Sequence, residues 1–148
     1  MKIMLYITLA VLALAAPVKR ADVGKLRPVE VVSIAEAEGE YIVRTDTGDR
    51  GSGRTLREAV ADLRETAPGI VYLDTAEYLL LESPIEDMAY LKEILKPCVR
   101  VCGAESGIPL EESGRYLDVH RPAVRLGEGS EYNELEFLWD DDGFYMLQ

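Results

Sequence analysis

The segment from residue 48 to residue 55 has the spacing of a phosphate-binding loop. It reads Gly-Asp-Arg-Gly-Ser-Gly-Arg-Thr between a predicted strand and a predicted helix, with Arg54 at the position where the P-loop motif has lysine. Backbone N–H groups at the start of a helix bind phosphate, and Asp74 ends an apolar strand as an Mg²⁺-binding aspartate would. The predicted phosphate-binding residues are therefore Gly51, Gly53, Arg54, Thr55 and Asp74.

Two residues of this segment weaken the phosphate hypothesis. Arg54 is bulky and forked, so it does not replace the compact ammonium group of lysine at the β- and γ-phosphates without rearrangement. Thr55 is already explained as a helix cap, because Glu58 follows three residues later and completes a capping box. A cytosolic nucleotide- or phosphate-binding protein is therefore the alternative hypothesis for the function of this chain.

The remaining chemistry-bearing residues predict neither catalysis nor a metal site. Cys98 and Cys102 are the only cysteines. On a strand they would lie roughly 13 Å apart, too far for a disulfide, so we expect two buried free thiols. His120 is the only histidine, and a position at a helix end explains it. The acidic run at residues 140–142 lacks the ligand spacing of an EF-hand loop. We therefore predict no catalytic residue, no metal ligand and no cofactor.

The N-terminus has the composition of an export signal or a short membrane anchor. Lys2 precedes an uncharged apolar run over residues 3–16, and Lys19 and Arg20 follow it. The run is shorter than the roughly 20 residues that span a bilayer. We expect residues 1–16 to direct the chain out of the cytoplasm or to associate with a membrane through residues 3–16. If they instead form a core element, we expect a cytoplasmic protein.

The protein is strongly acidic, with a formal net charge of −11 at pH 7. Acidic side chains are concentrated near the C-terminus, where residues 126–148 contain Asp and Glu but no Lys or Arg. Binding to a nucleic-acid backbone requires clustered cations, so we expect no nucleic-acid partner. A protein partner or self-association is the expectation that remains.

Strand and helix patterns alternate along the chain and predict one α/β domain over residues 29–148, with an α+β arrangement as the alternative. We expect a mixed sheet with an N-terminal β-hairpin, two to three helices as crossovers and a C-terminal β-hairpin. A linker over residues 17–28 precedes the domain, and residues 48–53 are a glycine-rich connector. The predicted strands are 29–35, 40–46, 70–73, 78–81, 98–102, 123–126, 135–139 and 144–147, and the predicted helices start at residues 55, 83 and 110.

The stretch between residues 53 and 82 resembles the N-terminal domain of germinant-receptor C subunits, the lipoproteins of spore-forming bacteria. The similar pieces are Gly-Arg-Thr-Leu-Arg-Glu-Ala at 53–59, Ile-Val-Tyr-Leu at 70–73 and Tyr-Leu-Leu-Leu-Glu at 78–82. In that family, a glycine-rich strand exit likewise leads into a T-x-x-E-A helix, a short strand, a further apolar strand and an acidic helix. The resemblance implies an extracytoplasmic interaction domain in a Gram-positive spore-former, and it carries over no catalytic or ligand residue.

The main hypothesis for function combines the export signal, the resemblance and the lack of a catalytic pattern. We expect a non-enzymatic binding or assembly domain that acts outside the cytoplasm of a Gram-positive bacterium, with a connection to spore germination.

Overall fold

The computed structural model describes residues 25–85, 87–127, 137–139 and 144–147, the last two ranges by their backbone. The predicted export segment at residues 1–16 and the predicted turn at residues 140–143 lie outside the described residues. In chain order, the elements are β1 (Leu26–Pro28), β2 (Val31–Ala37), β3 (Glu40–Thr45), β4 (Arg50–Gly53), α1 (Leu56–Thr66), β5 (Ile70–Tyr72), a 3₁₀ turn (Leu73–Thr75), β6 (Tyr78–Leu81), α2 (Met88–Ile94), β7 (Arg100–Ala104), α3 (Leu110–His120), β8 (Phe137–Trp139) and β9 (Phe144–Leu147).

One mixed sheet contains seven of these strands, in the order β4-β3-β2-β6-β7-β9-β8. In its centre β2, β6 and β7 are parallel neighbours. The hairpins β2–β3 and β8–β9 lie to either side and are antiparallel, as predicted. Glu38 and Gly39, at φ 54° and 77°, form the left-handed turn of the first hairpin, whose twist matches that of the strands. The predicted α/β fold with a mixed sheet is confirmed.

Helices cover both faces of the central strands. On one face α1 and α2 enclose the larger apolar cluster, and on the other face α3 encloses a smaller one. Strand β6 shows the division most clearly, because all four of its residues are buried. Leu79 and Leu81 face α1 and α2, whereas Tyr78 and Leu80 face α3. A continuous apolar run is what a parallel strand covered on both faces requires.

Residues 50–53 form the edge strand β4 and not the glycine-rich connector that the sequence predicted. Gly51 faces α1 so closely that a Cβ there would lie 2.2 Å from the carbonyl oxygen of Ala59 and 2.3 Å from the nitrogen of Leu63. The backbone N–H of Ser52 donates to Asp62 Oδ2 at 2.8 Å, so α1 also covers the open edge of β4. Glycine is therefore needed here for close approach of a helix, although it weakens the strand pattern in the sequence.

The second sheet contains β1 and β5, which pair in parallel with Leu26 opposite Ile70 and Pro28 opposite Tyr72. The predicted linker over residues 17–28 is therefore wrong for residues 26–28. The strand predicted at residues 70–73 is confirmed for residues 70–72, but it is not a buried strand, because Ile70 is 51% exposed and Tyr72 is 44% exposed. Only the inner face of this short strand, at Val71, packs against the domain.

Helix α2 begins at Met88 and not at residue 83. The N-cap is Asp87, whose Oδ1 accepts from the backbone N–H of Tyr90 at 3.3 Å. The hydroxyl of Ser83 instead accepts from the backbone N–H of Glu36 at 2.7 Å. The residue that looks like a helix cap in the sequence therefore satisfies a donor of β2.

The strand predicted at residues 98–102 runs instead from Arg100 to Ala104, and the strand predicted at residues 123–126 is wrong. Val99 N donates to the carbonyl of Lys96 at 3.1 Å, so the chain turns before β7 and leaves Cys98 exposed, whereas Cys102 is buried. The prediction of two buried thiols therefore holds for Cys102 alone. Instead of a strand, residues 123–126 form an isolated bridge between Arg125 and Arg100, because β9 takes the place beside the end of β7.

We expect Gly51→Ala to lower the free energy of unfolding by about 3 kcal/mol, because the added methyl group forces the α1 backbone away from β4. Ser52→Ala is the matched control, since Ser52 is exposed and should change stability by less than about 0.5 kcal/mol. Urea unfolding followed by circular dichroism measures both. Equal midpoints for Gly51→Ala and the wild type would contradict the packing described here.

Candidate functional site

The predicted phosphate-binding residues lie on different elements of the fold. Gly51 and Gly53 lie on β4 and face α1, while Asp74 is exposed in the 3₁₀ turn that follows β5. Arg54 is exposed, and Thr55 caps α1 as predicted, with its Oγ1 accepting from the backbone N–H of Glu58 at 3.1 Å.

The backbone donors near the start of α1 are already bonded to carboxylates of that helix. The N–H of Arg54 donates to Glu58 Oε2 at 3.0 Å, and the N–H of Ser52 donates to Asp62 Oδ2 at 2.8 Å. In a phosphate-binding loop such N–H groups point at the ligand. Here Glu58 and Asp62 occupy the positions that phosphate oxygens would need.

A buried carboxylate, Glu82, joins the strands beneath α3. Its Oε1 accepts from Ser33 Oγ and from Arg44 Nη2, and its Oε2 accepts from the backbone N–H of Gly107 at 3.1 Å. The Glu82 side chain is only 3% exposed. Arg44 also donates from Nη1 to the carbonyl of Ile108 at 3.3 Å. One carboxylate therefore fixes β2, β3 and the loop that leads into α3.

We expect Glu82→Gln to lower the free energy of unfolding by about 3 kcal/mol, because it leaves the charge of Arg44 partly buried and unpaired. Glu93→Gln is the control, since the Arg57–Glu93 pair is 68% and 65% exposed and should contribute less than about 1 kcal/mol. Urea midpoints of the two variants measure the difference. A Glu82→Gln variant as stable as Glu93→Gln would show that the buried pair is not structural.

A pocket of about 240 Å³ lies beside α3, over β3 and β4. One wall is formed by residues of the 44–50 segment and the other by residues 109–111 at the start of α3. Arg44 and Arg50 are direct neighbours on the paired strands β3 and β4, and both contribute to the pocket. Asp49 and Glu111 add two carboxylates, so the lining carries charges of both signs.

The Asp49 carboxylate is part of a fixed loop. Its Oδ2 accepts from Arg27 Nε at 2.9 Å and from Thr47 Oγ1 at 2.7 Å, and Arg27 Nη2 donates to the carbonyl of Thr47 at 2.8 Å. The Asp49 side chain is 6% exposed. These bonds attach β1 to the loop between β3 and β4, and they hold the inner wall of the pocket in place.

Glu30 lies directly beneath α3. A Cβ on Gly114 would lie 2.7 Å from Glu30 Oε1, which explains a glycine in the middle of this helix. Burial raises the pKa of the Glu30 carboxyl above its ordinary value, and the nearby charges of Asp118, Asp46 and Glu77 raise it further. Folding therefore makes the ionised form of Glu30 less favourable than it is in the unfolded chain.

Tyr78 is a second titratable residue in the region around Glu30. Its hydroxyl donates to Asp118 Oδ1 at 2.6 Å. Burial, followed by this hydrogen bond, raises the pKa of Tyr78 to about 12.

In the part of the chain that the structure describes, no group of three or more His, Cys, Asp or Glu side chains is arranged to hold a metal ion.

We expect Glu30→Gln to stabilise the protein at pH 7 and to have less effect at pH 4. A carboxyl whose folded-state pKa is raised favours folding while it is protonated, and that contribution is lost as the pH rises through the folded-state pKa. Urea midpoints at both pH values measure the change, with Glu65→Gln on the exposed side of α1 as the control. A stabilisation that is larger at pH 4 than at pH 7 would contradict this sign.

The outward face of the second sheet forms an apolar surface, which we name the β1–β5 strip. Its members are side by side on the paired strands and comprise Leu26, Pro28, Ile70 and Tyr72. Pro28, Ile70 and Tyr72 are exposed, and Leu26 is half-buried. The opposite face carries Val71 and Arg27, which point into the domain and toward Asp49.

A second surface runs along the outer side of α3. It is a groove of about 490 Å³ that is lined by residues of the 111–120 segment, among them Val119, which is 75% exposed. His120 stacks on Tyr116 with a centroid distance of 4.0 Å. The imidazole lies in the last turn of the helix, as the sequence predicted.

Among the described residues, no helix is both long and apolar enough to cross a membrane. Comparison of the chain with family models, with curated proteins and with solved structures found no match. The resemblance to germinant-receptor C subunits therefore stays a prediction.

Sequence reasoning missed the polar residues that the fold brings together beside α3. These are Arg44, Glu82, Arg50 and Glu111. Each sits at an ordinary polar position of a strand, strand end or helix, so no local pattern distinguishes them. The only usable signal is Glu82, a carboxylate at the end of a fully apolar strand.

Proposed function

We propose that the protein is a non-enzymatic assembly domain that binds a second copy of itself through the β1–β5 strip and acts outside the cytoplasm. The observation that carries this proposal is the row of apolar side chains on two paired strands, with Ile70 and Tyr72 about half exposed. A contiguous apolar surface of this kind on a soluble domain is typical of an interaction site.

Charge at the two ends of the strip supports a second copy as the partner. Lys25 precedes β1 at one end, and Asp74 follows β5 at the other end, and both are exposed. Because β1 and β5 are parallel, the two charges lie at opposite ends of the strip. A two-fold axis through the strip would place Lys25 of each copy beside Asp74 of the other, which is the self-complementary pattern of an isologous dimer.

Support for a location outside the cytoplasm comes from the sequence. The uncharged apolar run at residues 3–16 precedes β1, and residues 53–82 resemble an extracytoplasmic domain of spore-germination receptors. A protein that is anchored or exported through this run would carry the strip close to its N-terminal attachment. The alternative of phosphate binding by residues 51–55 and Asp74 is disfavoured, because carboxylates of α1 already accept the N–H groups of Ser52 and Arg54.

Sedimentation velocity of the full chain tests self-association. We expect a concentration-dependent dimer that Tyr72→Glu disrupts, because the substitution buries a charge in the apolar contact. Arg64→Glu changes an exposed residue of α1 and serves as the control. Association that Tyr72→Glu leaves unchanged would refute the strip as the interface.

A charge-reversal experiment tests the two-fold geometry. Lys25→Asp and Asp74→Lys should each weaken the dimer, because each places like charges together, and the double variant should restore it. Additive weakening in the double variant would exclude the proposed pairing of the two copies.

A fusion of residues 1–30 to a phosphatase that folds only outside the cytoplasm tests the location. We expect phosphatase activity in the Gram-positive host, and none when Leu9 and Leu12 are both changed to Arg. An inactive wild-type fusion that is retained in the cytoplasm would reject the extracytoplasmic part of the proposal and leave the dimer test unaffected.

A further inference from the structure

Two charged residues that line the pocket between the 44–50 segment and the start of α3, Arg44 and Asp49, already have partners within the domain. We call these two residues the floor of the pocket. Arg44 is bound by Glu82 and by the carbonyl of Ile108, and Asp49 is bound by Arg27. Neither side chain can turn away without breaking a partly buried ion pair. The floor is therefore preorganised, which lowers the entropy lost when a ligand binds.

The rim of the pocket carries one cation and one anion that have no partner among the described residues. Arg50 is on β4, and Glu111 is in the first turn of α3, so the two charges stand on different walls. Both residues are exposed. Within residues 25–85, 87–127, 137–139 and 144–147, neither side chain forms a hydrogen bond or an ion pair, including one with the other.

The mixed charge of the lining selects among classes of ligand. A simple anion would be attracted by Arg50 and repelled by Glu111, and a simple cation would be attracted by Glu111 and repelled by Arg50. A molecule that carries both charges satisfies both walls at once. The volume of about 240 Å³ is smaller than a typical site for a drug-sized ligand, so the molecule must be small.

We infer that this pocket binds a small zwitterion of the free α-amino-acid class. The carboxylate of the ligand contacts the guanidinium of Arg50, which presents paired N–H donors suited to a carboxylate. The ammonium group of the ligand contacts the carboxylate of Glu111. The two walls come from parts of the chain that meet only in the folded domain, and the pocket is separate from the β1–β5 strip.

Amide chemical-shift titration of the ¹⁵N-labelled full chain tests the inference. Glycine, L-serine and L-valine are the probes, and acetate, methylamine and inorganic phosphate are controls that lack one of the two charges. We expect saturable shifts at Gly48, Arg50 and Glu111 with at least one amino acid at concentrations up to about 20 mM, and binding at least about tenfold weaker for each control. The absence of a saturable shift with all three amino acids overturns the inference.

Variants then test the two rim residues. Arg50→Gln and Glu111→Gln should each weaken binding about tenfold or more, because each removes one charge-assisted contact. Arg54→Gln and Glu112→Gln remove the same charges from exposed positions outside the pocket and should leave binding unchanged. Equal binding of acetate or phosphate and of glycine would show a plain anion site instead, and equal losses in rim and control variants would show a general charge effect. Either result overturns the inference.

Discussion

The buried carboxylate of Glu82 is the contact on which the α3 side of the molecule depends. It accepts from a hydroxyl on β2, a guanidinium on β3 and a backbone N–H in the loop before α3. A buried charge is tolerated only when several donors satisfy it, and these three donors come from segments far apart in the chain. Through Arg44 the same carboxylate sets the floor of the pocket, so the position of α3 and the shape of the pocket are fixed together.

The two faces of the sheet are covered in different ways. On the α1 face, Gly51 and Gly53 let the helix backbone approach the edge strand directly, and apolar side chains fill the space beyond. On the α3 face, the apolar cluster is smaller and a polar network extends it toward β3 and β4. The two candidate binding surfaces, the pocket beside α3 and the β1–β5 strip, lie where the helices no longer cover the strands. Side chains there are open to a ligand or a partner, whereas those in the packed centre are buried.

Features that depend on neighbours in sequence were predicted correctly. The β2–β3 hairpin follows from its Glu38-Gly39 turn, and the start of α1 follows from the Thr55–Glu58 capping box. Features that depend on distant partners were not. The glycines of β4 have meaning only against α1, and Ser83 bonds to Glu36 across 47 residues instead of capping a helix.

The candidate sites show the same limit more strongly. Ile70 and Tyr72 have the composition of a buried strand, and only their pairing with β1 places them on the surface. Arg50 and Glu111 form two walls of one pocket although no local pattern connects them. The P-loop-like spacing predicted a site in this region for a different reason, and only residues 48–50 of that segment line the pocket.

The pairing of β1 also has a consequence for the order in which the chain folds during synthesis. The backbone N–H of Val29, directly after β1, donates to Thr75 Oγ1, and the Val29 carbonyl accepts from the same hydroxyl, which lies 46 residues further along the chain. At ribosomal rates of about 5–20 residues per second, this partner emerges roughly 2–9 s after Val29. During that interval the β2–β3 hairpin can form, whereas β1 has no strand to join. Residues 26–28 therefore stay without their partner strand for several seconds of synthesis, until β5 and Thr75 have left the ribosome.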